Sequence, residues 1–161
     1  MELIEIKPLK SILLVEDNPA HVLITKEAFS EVKLENDNYD IEIIDVRDGI
    51  EALKLLSKFK SQGSLPDLIL IDINIPLLNG LDLLKKIKSH KHYKRIPSII
   101  ITNGSRIHEI EDAYKRYANA FIIKPFRYDD FLEMIQVMKL FWFEYATIPI
   151  NTNGRLNKNE G

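Results

Sequence analysis

The chain has 161 residues, 45% hydrophobic and 29% charged, and its 22 basic and 24 acidic side chains leave a formal charge of −2. That length suits one domain with a real core, and the balance of charge excludes a polyanion-binding or polybasic membrane surface. Without cysteine, disulfides and thiolate metal centres are excluded, and the long apolar runs are all broken by Asp, Lys, Glu or Pro before they could span a bilayer, so the expected compartment is the cytoplasm.

The first apolar run, Ile12 to Val15, reads as a strand buried on both faces. A helix follows, with Asn18 as N-cap and Pro19 at its first position, and its pattern runs through Leu23, Ile24, Ala28 and Val32. The polar stretch "ENDNYD" ends it, and Ile41 to Val46 is the second strand. Asp48 then caps a second helix, with Glu51 placed to reach back in a capping box and Leu53, Leu56 and Phe59 as its apolar stripe. Gly63 and Pro66 close that helix before the third strand, Leu68 to Ile71. Asn79-Gly80 opens a third helix through Leu81, Leu84 and Ile87, and Ser98 to Ile101 is the fourth strand. A fourth helix has Ser105 as its expected cap, with Ile107, Ile110 and Tyr114; the fifth strand is Ala120 to Ile123, and a last helix runs from Tyr128 to Tyr145. Strict alternation of strand and helix with short connections predicts an α/β domain built on a doubly wound, five-stranded parallel sheet. The expected domain spans residues 1–147, and the polar tail 148–161 is expected to be partly disordered.

Polar residues fall directly after the strands: Glu16 and Asp17 after the first, Asp72 after the third, Thr102 after the fourth and Lys124 after the fifth. In a parallel sheet these carboxyl ends share one edge, where ligands bind. Glu16 and Asp17 could merely cap a helix and Lys124 could be a surface lysine, but Asn18 already serves as a cap and Lys124 shares its edge with Asp72. Three carboxylates in apolar surroundings repel one another, so a cation is expected, and an oxygen-only ligand set favours Mg²⁺. A carboxylate, a metal ion, an ammonium and a hydroxyl together suit phosphoryl transfer, with Asp72 as the group attacking phosphorus. His21, His90, His92 and His108 show no metal-ligand spacing with the acids and are read as surface residues.

The stretches "ILLVEDNP", "PDLILIDINIPLLNG", "IPSIIITNGS" and "AFIIKPF", in this order between Lys10 and Tyr145, resemble the receiver domains of bacterial two-component response regulators. The resemblance implies a flavodoxin-like (βα)5 fold and a stand-alone phosphoprotein that takes a phosphoryl group from a histidine kinase onto Asp72 and signals by protein contact. Such a protein is no enzyme beyond its own phosphorylation and slow autodephosphorylation. The resemblance further implies that Mg²⁺ sits on Glu16, Asp17, Asp72 and the carbonyl of Asn74, that Thr102 and Lys124 contact the phosphoryl group, and that Thr102 and Phe121 are the switch residues. It also implies a cis bond between Lys124 and Pro125. Asn103 stands where the family usually has a very small residue, which leaves a phosphorylation-independent adaptor as the alternative. A phosphohydrolase ranks last, because Asn74 takes the place of the proton-donating acid it would need. The "YKRIPSIIIT" region, the long segment before the second strand and the ending "FWFEYATIP" are similar to the single-domain subfamily that pairs with phytochrome-type kinases.

The last helix carries more apolar surface than one core contact needs. Phe131, Ile135, Met138, Trp142 and Tyr145 form the stripe expected to face the sheet, while Lys139 belongs to the polar face. Leu140, Phe141, Trp142 and Phe143 cannot all point inward, so Leu140, Phe141 and Phe143 are expected in a homodimer interface. The competing cover is the chain itself, through Ile148, Pro149 and Ile150. No nucleic-acid partner is expected.

Overall fold

The computed structural model describes residues 7–104 and 106–149. Five strands, β1 (Leu9–Val15), β2 (Asp40–Val46), β3 (Leu68–Ile71), β4 (Ser98–Thr102) and β5 (Ala120–Ile123), alternate with helices α1 (Pro19–Glu31), α2 (Gly49–Ser61), α3 (Gly80–Ser89), α4 (Ile107–Lys115) and α5 (Tyr128–Lys139). All neighbouring strands pair in parallel, in the order β2-β1-β3-β4-β5. The chain turns back at β1, so the crevice between β1 and β3 is the switch point of the sheet.

Alternation along the strands explains their continuous apolar runs. Leu13, Val15, Ile69, Ile71 and Ile100 pack with Leu56, Leu84, Ile87 and Ala113 on the α2, α3 and α4 side. Their neighbours Ile12, Leu14, Leu68, Leu70, Ile99 and Ile101 meet Ala28, Phe29, Phe131, Ile135 and Met138 of α1 and α5. Each of these eleven residues of β1, β3 and β4 therefore faces one helical layer or the other and is buried, whereas Asp40 and Glu42 of the edge strand β2 and Ile123 of the edge strand β5 are exposed.

The helix starts follow local chemistry. Asn18 Oδ1 accepts from Ala20 N–H at 2.9 Å, Asp48 from Glu51 N–H at 2.7 Å and Asn79 from Asp82 N–H at 3.0 Å. Glu51 reaches one residue further back than a capping box requires, to Arg47 N–H. Ser105 lies outside the described residues; at the start of α4 the carboxylate of Glu109 accepts from Arg106 N–H at 2.9 Å.

Three expectations about helix faces are corrected. In α1, Thr25, Ala28 and Phe29 are buried while Leu23 and Ile24 are exposed, because the layer α1 shares with α5 meets the Thr25, Ala28 and Phe29 stripe. The α-helical ending stops at Lys139, and Leu140–Tyr145 continue as a π-helical turn, in which Ala146 N–H bonds to Phe141 O. The wider turn shifts the period, so Tyr145 points to solvent, whereas Trp142 and Phe143 pack on the α1/α5 core. Lys139 is buried, its ammonium donating to Val32 O at 2.6 Å and Asp37 Oδ2 at 3.1 Å. The cover over Phe143 is Tyr39, edge to face at 5.6 Å between ring centres. Ile150 lies outside the described residues.

Candidate functional site

The residues that carry the chemistry are held by backbone bonds that extend the ladder one step beyond the strands. Glu16 N–H donates to Val46 O at 3.0 Å, Asp72 N–H to Val15 O at 3.0 Å and Lys124 N–H to Thr102 O at 2.8 Å. Their side chains leave the sheet at one edge and converge there. Gly80 seals the floor: a Cβ at this position would stand 2.1 Å from Asp72 O and 2.7 Å from Ile73 Cα. Only glycine lets α3 approach the end of β3 this closely.

Asp72 is 5% exposed and Thr102 fully buried. Asp72 Oδ1 accepts from Asn74 N–H at 2.8 Å and from Thr102 Oγ1 at 3.3 Å, and its Oδ2 accepts from Lys124 Nζ at 3.1 Å. The same ammonium donates to Glu16 Oε2 at 2.5 Å, while Glu16 Oε1 accepts from Asn18 N–H at 3.1 Å. Burial raises the pKa of the Glu16 carboxyl above its ordinary value, and the negative charge of Asp72 adds to the rise; Lys124 and the Asn18 amide oppose it without cancelling it. Two buried carboxylates thus share one ammonium and keep an excess of negative charge.

Glu16, Asp72, Thr102 and Lys124 are brought together as expected. Asp17 is exposed, and among the described residues no hydrogen bond or ion pair joins it to the cluster. Asn74 is exposed and contributes its amide to Asp72. Phe121 packs partly buried on the α2, α3 and α4 side, and its N–H donates to Tyr114 Oη at 3.2 Å. Asn103 is exposed and lines a groove with His21, Ile24, Lys124 and Pro125.

Two expectations fail here. Among the described residues no peptide bond is cis, so Lys124-Pro125 is trans; proline narrows the preference for trans to about 0.5–1 kcal/mol and leaves its sign intact. His21 is not a remote surface residue: its Nδ1 lies 3.4 Å from Lys124 Nζ and 3.7 Å from Glu16 Oε2. As the third residue of α1, it leans back over the helix start toward the acids. No spacing along the chain signals this placement, because the contact with Lys124 joins residues 103 apart.

A sequence model of the response regulator receiver domain matches residues 12–136. The chain belongs to this family. Response regulator Rcp1 of Synechocystis sp. is 33% identical over 150 residues, which cover 90% of this chain and 97% of that protein. The crystal structure of the phosphorylated cyanobacterial phytochrome response regulator RcpA is similar at 32% identity and a TM-score of 0.77, covering 87% of this receiver and 98% of that one. The Mn²⁺-bound form of Rcp1 is similar at 32% identity and a TM-score of 0.75, covering 87% and 99%. Receiver domains of this kind are signalling proteins rather than classical enzymes. Among the described residues no helix is long and apolar enough to cross a membrane.

Proposed function

We propose that this chain, with its receiver domain placed at residues 1–147, is a response regulator that accepts a phosphoryl group from a histidine kinase onto Asp72. The observation that carries this reading is the setting of Asp72: a nearly buried carboxylate with an ammonium on one oxygen and a hydroxyl and an amide on the other. An Asp72 oxygen attacks the phosphorus of a phosphohistidine, the P–N bond breaks, and its electron pair leaves with the imidazole, so that an acyl phosphate forms on Asp72. The excess negative charge beside Asp72 fits a hard dication, and Glu16, Asp17, Asp72 and the Asn74 carbonyl would hold Mg²⁺, which neutralises charge on the transferring group. Lys124 then pairs with a phosphoryl oxygen, and the Thr102 hydroxyl donates to another. Phe121 reports the change through the packing of its ring. The likeness to a phytochrome response regulator favours a phytochrome-type kinase as donor, in the cytoplasm.

Incubation with acetyl phosphate and Mg²⁺, followed by intact mass measurement, should add one phosphoryl group to the wild type and none to Asp72→Asn. Uptake that persists in the Asn variant, or in EDTA, overturns the assignment.

The signal passes by protein contact, and we assign a homodimer to the end of α5. Of the expected interface residues, Phe143 is instead packed on the core beneath Tyr39, while Leu140 and Phe141 are exposed at 38% and 52%, as are Val137 at 60% and Tyr145 at 76%. At about 25 cal/mol per Å², burying these exposed side chains against their copies favours association by several kcal/mol before the entropic cost of pairing. Sedimentation should give a dimer for the wild type at tens of micromolar and a monomer for the Leu140→Glu, Phe141→Glu double variant; a monomeric wild type removes the dimer.

A further inference from the structure

The ammonium of Lys124 occupies a point that three ligand atoms surround. Glu16 Oε2 lies 2.5 Å from it, Asp72 Oδ2 3.1 Å and His21 Nδ1 3.4 Å. One ligand atom from each of these three residues lies within 4.8 Å of the other two. An ammonium has only hydrogens to offer, so it is the Nε2-protonated tautomer of His21 that turns a lone pair on Nδ1 toward this point. A neutral imidazole with its lone pair turned inward is the form that binds metals.

We propose that His21 makes this a mixed oxygen and nitrogen cation site, in which its Nδ1 joins Glu16 and Asp72 as a direct ligand and selects a first-row transition dication over Mg²⁺. The inference rests on the reading of this edge as the cation site of a phosphoacceptor, and it adds a ligand and a preference. Two ligand atoms on one ion, each at about 2.1 Å, stand at most about 4.2 Å apart. Glu16 Oε2 and His21 Nδ1 are separated by 3.7 Å, inside that limit without any movement of the backbone. Mg²⁺ keeps to oxygen ligands and water, whereas imidazole suits Zn²⁺ and its neighbours in the first row. A dication placed between the carboxylates carries twice the charge of the ammonium it displaces, and Lys124 is released toward Asp72 and the incoming phosphoryl group. The His21 side chain is 31% exposed, so an ion can reach it from solvent.

The experiment uses the full chain without an affinity tag. Pulsed electron paramagnetic resonance of bound Mn²⁺ should show nitrogen coupling from a directly bound imidazole in the wild type and none in His21→Ala. Calorimetry should show the ratio of Zn²⁺ to Mg²⁺ affinity falling about tenfold or more in the variant, with Mg²⁺ affinity nearly unchanged. His90, His92 and His108 remain in the variant, so a nitrogen signal or Zn²⁺ preference that survives there comes from elsewhere and overturns the proposal. Mn²⁺ bound without nitrogen coupling in the wild type also overturns it, while leaving the phosphoacceptor reading in place. Failure of Mg²⁺, Mn²⁺ and Zn²⁺ alike to bind overturns both.

Discussion

Among the described residues, Lys124 and Lys139 both have buried side chains and ammonium groups paired with carboxylates, and they do different work. Lys124, 7% exposed in its side chain, joins Glu16 and Asp72 at the edge where the strands end. Lys139, 3% exposed, ties the end of α5 to Val32 O and Asp37 in the connection between α1 and β2, with the Tyr39 ring centre 6.0 Å away. One set of acceptors includes a backbone carbonyl that cannot be recruited elsewhere. The other consists of two carboxylates and an imidazole, a group of side chains that could hold a metal ion instead. A buried ammonium with exchangeable partners belongs to chemistry; one fixed by a carbonyl belongs to the scaffold.

The neighbouring carboxyls reflect the same contrast. Burial dominates at Glu16 and raises its pKa. Burial also acts to raise the pKa of Asp37, but the Leu34 amide and the Lys139 ammonium outweigh it and hold the carboxyl below its ordinary value. Beside Asp37, Tyr39 Oη and Glu144 Oε1 are buried without a well-formed hydrogen bond, and burial together with the two carboxylates pushes the Tyr39 phenol up.

The contrast breaks most visibly under truncation. Lys139→Ala should cost about 3–5 kcal/mol of stability in urea unfolding, since it strands the Asp37 charge in a covered place, and Mg²⁺ should recover none of it. Lys124→Ala strands two carboxylates, but Mg²⁺ can enter between them, so its loss should shrink as Mg²⁺ is added. Equal behaviour of the two variants in Mg²⁺ titrations would erase the distinction.

A smaller effect follows from acid. Because the folded-state pKa of Asp37 is depressed, its stabilisation is present above the ordinary carboxylate value of 3.8 and is lost as the pH falls through the lower folded value. Urea midpoints of the wild type should therefore drop more steeply below about pH 4 than those of Lys139→Met, which lacks the partner. Parallel pH profiles would place the acid sensitivity elsewhere.

The smallest expected effect is at Asn103, exposed beside the groove that leads to Lys124. If its amide narrows the approach to phosphorus, Asn103→Ala should speed both uptake from acetyl phosphate and loss of the phosphoryl group, each by about tenfold or less. Unchanged rates in both directions show that the amide points away.

Much of this protein is written in short stretches of chain. Strand positions follow from apolar runs, helix starts from Asn18, Asp48 and Asn79, and the site from polar residues that come straight after strands, because a parallel sheet brings all carboxyl ends to one edge. What stayed hidden depends on contacts between segments far apart in the sequence. Leu23 and Ile24 look like core residues until the docking of α1 selects Thr25, Ala28 and Phe29 instead. Lys139 looks like a surface lysine until the connection at Val32 and Asp37 closes over it, and the π-helical turn that turns Tyr145 outward follows directly after it. His21 has no ligand spacing along the chain, and it reaches Lys124, 103 residues away, only once β5 is laid down across the sheet. Periodicity and capping are properties of neighbours and can be read locally, whereas the choice of which apolar stripe or which charged group is buried rests on the matching surface, which exists only in the folded chain.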